Sequence, residues 1–150
     1  MEEFENILQI LYKSGSLLSS CSEKQVNRIE RAFNIKLPLV YRSFLLNMGK
    51  SAGDFMKGSS CFYNEIFSLK EAAVELLEER NFKSLPEDSF VFWMHQGYQF
   101  VFFLLNDGDN PRVFFFTEVE NNYGHSDFTL QNNKLTDFYY DELKMSGIIK

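Results

Sequence analysis

The stretch IKLPLVYRSFLLNMG, Ile35 to Gly49, decides the fold. Pro38 sits inside an otherwise helical pattern. It lacks an N–H and its ring clashes with a preceding helical turn, so it cannot occupy a helix interior. It can open a helix, where that N–H has no partner in any case. One helix must therefore end before Ile35–Pro38, and another must begin at Pro38. Tyr41, Phe44, Leu45 and Met48 then share one face, and Gly49 supplies the stop. The segment reads as a helix–corner–helix, with Ile35 and Leu37 turned inward at the corner.

Working toward the N-terminus, Phe4, Ile7, Leu8 and Leu11 fall at i, i+3, i+4 and i+7, an amphipathic helix. Gly15 and a serine cluster break it. A second helix is expected from Ser20 or Ser22, with Ser20 and Glu23 as a capping box. Val26, Ile29 and Phe33 form its apolar stripe.

Toward the C-terminus, KSAGDFMKGSS is a loop and CFYNEIF reads as a strand. A helix follows from Ser68, with Glu71 completing its capping box. SFVFWMH, YQFVFFLL and PRVFFFTEV are β-rich runs, joined by a tight turn at Gln96-Gly97 and a second at NDGDNP. SDFTLQ is a further short strand. KLTDFYYDEL returns to helix, with Leu135, Phe138, Tyr139 and Leu143 as its apolar side. Short connections require antiparallel pairing. The expected architecture is α+β: an antiparallel sheet of about five to six strands, packed with N-terminal, middle and C-terminal helices, in one domain over residues 1–150. Phe100 to Leu105 and Val113 to Phe116 are apolar at every position, so both faces of the central strands need cover, from helices and loops or from a partner chain.

The 150 residues include 17 Phe, 7 Tyr and 1 Trp, and the formal net charge is −6. Such a balance speaks against general binding to phosphate backbones. Two cysteines, Cys21 and Cys61, are too few for a disulfide scaffold and read as reduced thiols. The acidic start MEEFENILQI is unlike a secretory signal, and no apolar run spans a bilayer. These features point to a cytoplasmic protein.

Motifs for chemistry are lacking. His95 and His125 have no histidine at i+4, and neither cysteine has a nearby second one, so no metal site is expected. Asp107 and Asp109 mimic the start of a calcium loop, but Pro111 takes the third ligand position. There is no glycine-rich phosphate loop and no nucleophile elbow, so neither catalytic residues nor a cofactor are expected.

The segment VNRIERAFNIKLPLVYRSFLLNMGKSAGDF resembles the signature of the SUKH superfamily. Ile29, Glu30, Ile35, Leu37, Pro38, Tyr41, Phe44 and Leu45 fall on its positions. LPEDSFVFWMHQGYQFVFFLL is similar to the family's hairpin, NPRVFFF to its next strand and KLTDFYYDEL to its closing helix. NMGKSAGDF departs from the Asn-Gly-Gly stretch of many relatives. The resemblance implies a non-enzymatic protein-binding module. Many bacterial members act as immunity proteins that neutralise toxin domains, often nucleases or deaminases; others are intracellular regulators with an endogenous partner. It makes Pro38 architectural.

Charge then suggests where a partner sits. Between Lys24 and Arg42 lie Lys24, Arg28, Arg31, Lys36 and Arg42 against Glu30. Between Asp107 and Asp127 lie Asp107, Asp109, Glu118, Glu120 and Asp127 against Arg112. A basic toxin groove would be matched by carboxylates. The expected contact set is therefore Asp107, Asp109, Glu118, Glu120 and Asp127, with Tyr123 as an apolar anchor. A solvated acidic edge explains the same residues. No direct contact with nucleic acid or membrane is expected, and a homodimer is compatible with the sequence.

Overall fold

The computed structural model describes residues 2–118 and 127–150. Its elements run α1 (Glu2–Lys13), β1 (Leu18–Ser19), α2 (Glu23–Phe33), α3 (Leu39–Met48), β2 (Ser51–Ala52), α4 (Tyr63–Glu79), β3 (Ser89–His95), β4 (Gln99–Leu104), β5 (Val113–Thr117), β6 (Thr129–Asn132) and α5 (Leu135–Met145). β3 to β6 form an antiparallel sheet in chain order, and β1 pairs with β2 in a separate ribbon. The α+β class is as expected. The large sheet has four strands among the described residues, rather than five to six.

The difference comes largely from CFYNEIF, which opens α4 and is not a strand. Tyr63, Ile66, Leu69, Ala73, Leu76 and Leu77 are buried at helical spacing along the whole of α4. The aromatic content of the segment imitates a strand, but its period is that of a helix. Ser68 and Glu71 accordingly lie inside the helix, and Ser68 Oγ donates to the Glu65 carbonyl at 3.1 Å.

At α2 the capping box lies two residues later than expected, on Ser22 and Gln25 rather than Ser20 and Glu23. Gln25 N–H donates to Ser22 Oγ at 3.1 Å, and Ser22 N–H donates to Gln25 Oε1 at 2.9 Å. Asn34 ends this helix in the left-handed region with φ 53°, and Ile35 N–H reaches back to the Glu30 carbonyl at 2.9 Å. Pro38 then stands just before α3 with φ −59° and ψ 149°, and Arg42 N–H bonds to its carbonyl. The proline is thus the cap residue, one position earlier than the first helical turn.

Glu30 holds the corner together. One carboxylate oxygen accepts from Leu37 N–H at 2.8 Å and the other from Arg42 Nη1 at 2.8 Å. Arg42 Nη2 also reaches Glu23 at 2.9 Å. Leu37 is buried and Ile35 half-buried. Gly49 closes α3 in a right-handed conformation, so a left-handed φ is not what selects glycine here. A Cβ at this position would lie 2.5 Å from Cys21 Sγ and 2.6 Å from the Leu45 carbonyl oxygen. Close packing of α3 against the Cys21 segment selects it.

Both sheet faces are covered by helices. Phe90, Phe92, Val101, Phe103 and Val113 pack with the buried faces of α1, α2, α3 and α5. Val91, Met94, Phe100, Phe102 and Phe116 pack under Leu69, Ala73, Leu76 and Leu77 of α4. The second cover is therefore the middle helix together with Phe82, Leu85 and Phe128 from loops, not the C-terminal helix. The register of β3 against β4 slips between Val91 and Trp93. That bulge puts the consecutive residues Phe92 and Trp93 in the same core. Tyr41 lies at the centre, fully buried, with its ring 5.4 Å from both Phe90 and Phe103. Both cysteines are buried free thiols.

Candidate functional site

Among the described residues, one end of the first sheet face remains open. The β3–β4 turn lies there, with Gln96 at φ 52° and Gly97 at φ 74°, as a type I′ hairpin requires. Trp93, Gln99, Val101, Phe115 and Thr117 line the floor of a groove of about 870 Å³. One wall is the last two turns of α5, from Asp141 to Ser146. The other is the segment Asp54–Ser59 that leads into α4. Ser146 Oγ ties the walls together by accepting Met56 N–H at 3.1 Å.

The groove carries an unusual set of polar groups. Trp93 is only 8% exposed, and its indole Nε1 is buried with no hydrogen-bond partner among the described residues. His95 stacks on the indole, with ring centroids 5.7 Å apart. His95 Nδ1 and Ser59 Oγ lie 3.4 Å apart. Glu142 is half-buried, and among the described residues no ion pair or hydrogen bond reaches its carboxylate. Burial pushes its pKa up to about 7, and neighbouring Asp141 adds to the rise. Asp141 itself accepts from Asn132 Nδ2 at 2.8 Å.

Two of the most exposed aliphatic side chains flank this groove. Met145, 81% exposed, stands on its α5 rim. Leu17, 82% exposed, lies in an adjoining shallow cleft that shares Asp54 and Ser146 with the groove.

The structure divides the acidic residues suggested by sequence. Asp107 and Asp109 lie in the turn before β5, and Glu118 follows its end. The five residues of β5 separate these positions by about 16 Å. Asp107 accepts from Arg112 N–H at 2.9 Å and Arg112 Nε at 3.0 Å. Partial burial raises its pKa, but the two bonds from Arg112 outweigh this and hold it low. The Asp109 carbonyl accepts Val40 N–H at 3.0 Å and so caps the start of α3; its side chain is exposed. Glu118 pairs with Arg80, and Asp127 with Lys83, both near the end of α4. The bond from Lys83 lowers the Asp127 pKa. Glu120 and Tyr123 lie outside the described residues, as does His125. Of the described acids, Glu118 is the one tied to the groove, since its N–H donates to the Tyr98 carbonyl at 2.9 Å.

The family-motif positions from Ile35 to Leu45 do structural work. Leu37, Tyr41, Phe44 and Leu45 are buried, Ile35 packs against the same core, and Pro38 caps α3. None lines the groove. Sequence reasoning missed Glu142, although a signal was present. Leu135, Phe138, Tyr139 and Leu143 mark the apolar stripe of α5, and Glu142 occupies its i+7 position.

Among the described residues no cluster of metal-ligating side chains occurs, and no helix is long and apolar enough to cross a membrane. No curated protein matches the chain. The family model of the SMI1 / KNR4 family (SUKH-1) matches residues 20–140, from the segment before α2 into α5. With the corner, the sheet and the start of the closing helix inside that match, the chain belongs to the SMI1 / KNR4 family (SUKH-1).

Proposed function

We propose that this protein is a non-enzymatic binding module of the immunity type. It acts in the cytoplasm and neutralises a toxin domain, of nuclease or deaminase kind, by holding it against the groove. Family membership supports a protein-binding role. The observation that carries the reading is the open groove with Met145 on its rim and Leu17 in the adjoining cleft. Exposed apolar side chains gathered around a concavity, with half-buried polar groups inside it, are features of protein interfaces. A basic partner suits the net charge of −6. Glu118 extends the contact from the groove's hairpin end. Asp107 and Asp109, at the far end of β5, form at most a separate steering patch.

Co-expression tests the reading. If the adjacent gene encodes a toxin, cells producing its toxic domain should survive only when this protein is made as well. The two purified domains should also form a stable complex. Survival without complex formation, or a complex that leaves toxicity intact, would count against immunity. The intracellular regulatory role with an endogenous partner would then be the better reading.

A further inference from the structure

From the groove's geometry we infer that Glu142 receives a basic side chain, arginine or lysine, from the segment of the partner that enters the groove. This rests on the reading that a protein partner occupies the groove. Three observations support it. The Glu142 carboxylate is half-buried yet unpaired among the described residues, a costly arrangement for a charge without a partner. Trp93, on the floor of the same groove, keeps a buried indole N–H with no acceptor among the described residues. A peptide segment offers a cation for the carboxylate, and a small shift of the buried Trp93 ring would let a backbone carbonyl meet the indole. The third observation is charge. Lys57 on the opposite wall already has Asp54 at 4.0 Å, and Asp141 adds a second negative charge beside Glu142.

The surroundings of Glu142 bear on its titration from every side. Asp141 and Lys144 share its helix, Asp54 and Lys57 face it from the opposite wall, and His95 and Tyr98 come from the hairpin. The buried Cys61 thiol, raised by desolvation first and then by Glu65 and Glu142, is a neutral neighbour. A cation bound at Glu142 favours the ionised carboxylate and must displace its proton. Binding should therefore strengthen as pH rises through about 7. His95, whose ring stacks on the Trp93 indole, is the other groove side chain to be controlled for.

The test uses the whole protein and the peptide acetyl-Gly-Arg-Gly-amide, followed by NMR. At pH 8 the peptide should give saturable shifts at the Trp93 indole N–H and the Glu142 carboxyl. At pH 6 it should bind about tenfold more weakly, the ratio of ionised fractions for a pKa near 7. Glu142→Gln should abolish saturation while leaving the free indole signal in place, which shows that it folds. His95→Gln should keep the pH dependence. No saturation at pH 8, equal binding by Glu142→Gln, or loss of pH dependence in His95→Gln would each overturn the inference. So would self-association of the protein that Glu142→Gln abolishes, since a second copy would then be the donor. If these fail while Leu17→Arg and Met145→Arg still block the partner domain, the groove reading stands and only the role of Glu142 falls.

Discussion

Tyr41 and Tyr139 show how much of this core is shape and how little is polar chemistry. Both are buried, and neither hydroxyl has a hydrogen-bond partner. Desolvation keeps both phenols protonated by raising their pKa well above 10. An unpaired buried hydroxyl is a liability, whereas the ring fills a site among Phe44, Phe90, Phe92 and Phe103. Tyr41→Phe should therefore be neutral or stabilising, and Tyr41→Ala should cost about 3 kcal/mol or more. Urea unfolding of both variants checks this; a large loss in Tyr41→Phe would reveal a hydrogen bond the ring depends on. Glu142 is the contrasting case. Its folded pKa of about 7 lies above its ordinary 4.5. Between those values the folded state holds more protons than the unfolded, so stability falls as pH rises and the penalty is complete above pH 7. Glu142→Gln should be stabilising at pH 8 by on the order of 2 kcal/mol, after allowance for partial solvent screening. At pH 4 the two proteins should melt alike. A difference in melting temperature that does not grow between pH 4.5 and 7 would contradict the burial of that carboxyl.

At the scale of elements, the α2–α3 corner is held by Glu30 more than by Pro38. Glu30 takes bonds from Leu37 N–H and Arg42 Nη1, and its loss leaves both donors partly buried and unpaired. Glu30→Ala should cost about 2–3 kcal/mol. Pro38→Ala should cost on the order of 1 kcal/mol through lost preorganisation. The reverse order in chemical denaturation would make the proline the keystone. Gly49→Ala should cost about 1–3 kcal/mol, because a methyl group there meets Cys21 Sγ. The corner was legible in sequence because a proline within a helical period has few solutions, and the stripes of α1 and α5 because their spacing is regular. The start of α4 was not: Phe62, Tyr63, Ile66 and Phe67 favour strands by type, and only the longer period through Leu77 identifies a helix. Gly49 was legible as a stop, but its reason lies in Cys21, far away in the chain. The cap that the Asp109 carbonyl gives Val40 left no trace in sequence, because any residue carries that carbonyl.

For the whole molecule, the acidic loops suggested by charge separate to the two ends of β5, and the groove lies at one of them. Carboxylates counted along a chain say nothing of whether they face one another, and three of the four described ones are bonded within the chain. The groove was invisible to charge counting because its floor comes from β3, β4 and β5 and its walls from α5 and the loop before α4. Charge reversal at Asp107 and Asp109 should consequently leave partner affinity unchanged and alter at most the salt dependence of association, read by stopped-flow at two ionic strengths. The central claim is that the partner sits on the groove, and Leu17 and Met145 test it most directly, because both are exposed and can be changed without disturbing the core. The measurement is calorimetric titration of the proposed partner domain into the Leu17→Arg/Met145→Arg protein. The account predicts at least a hundredfold loss of affinity with an unchanged melting temperature; affinity equal to that of the parent protein would contradict it.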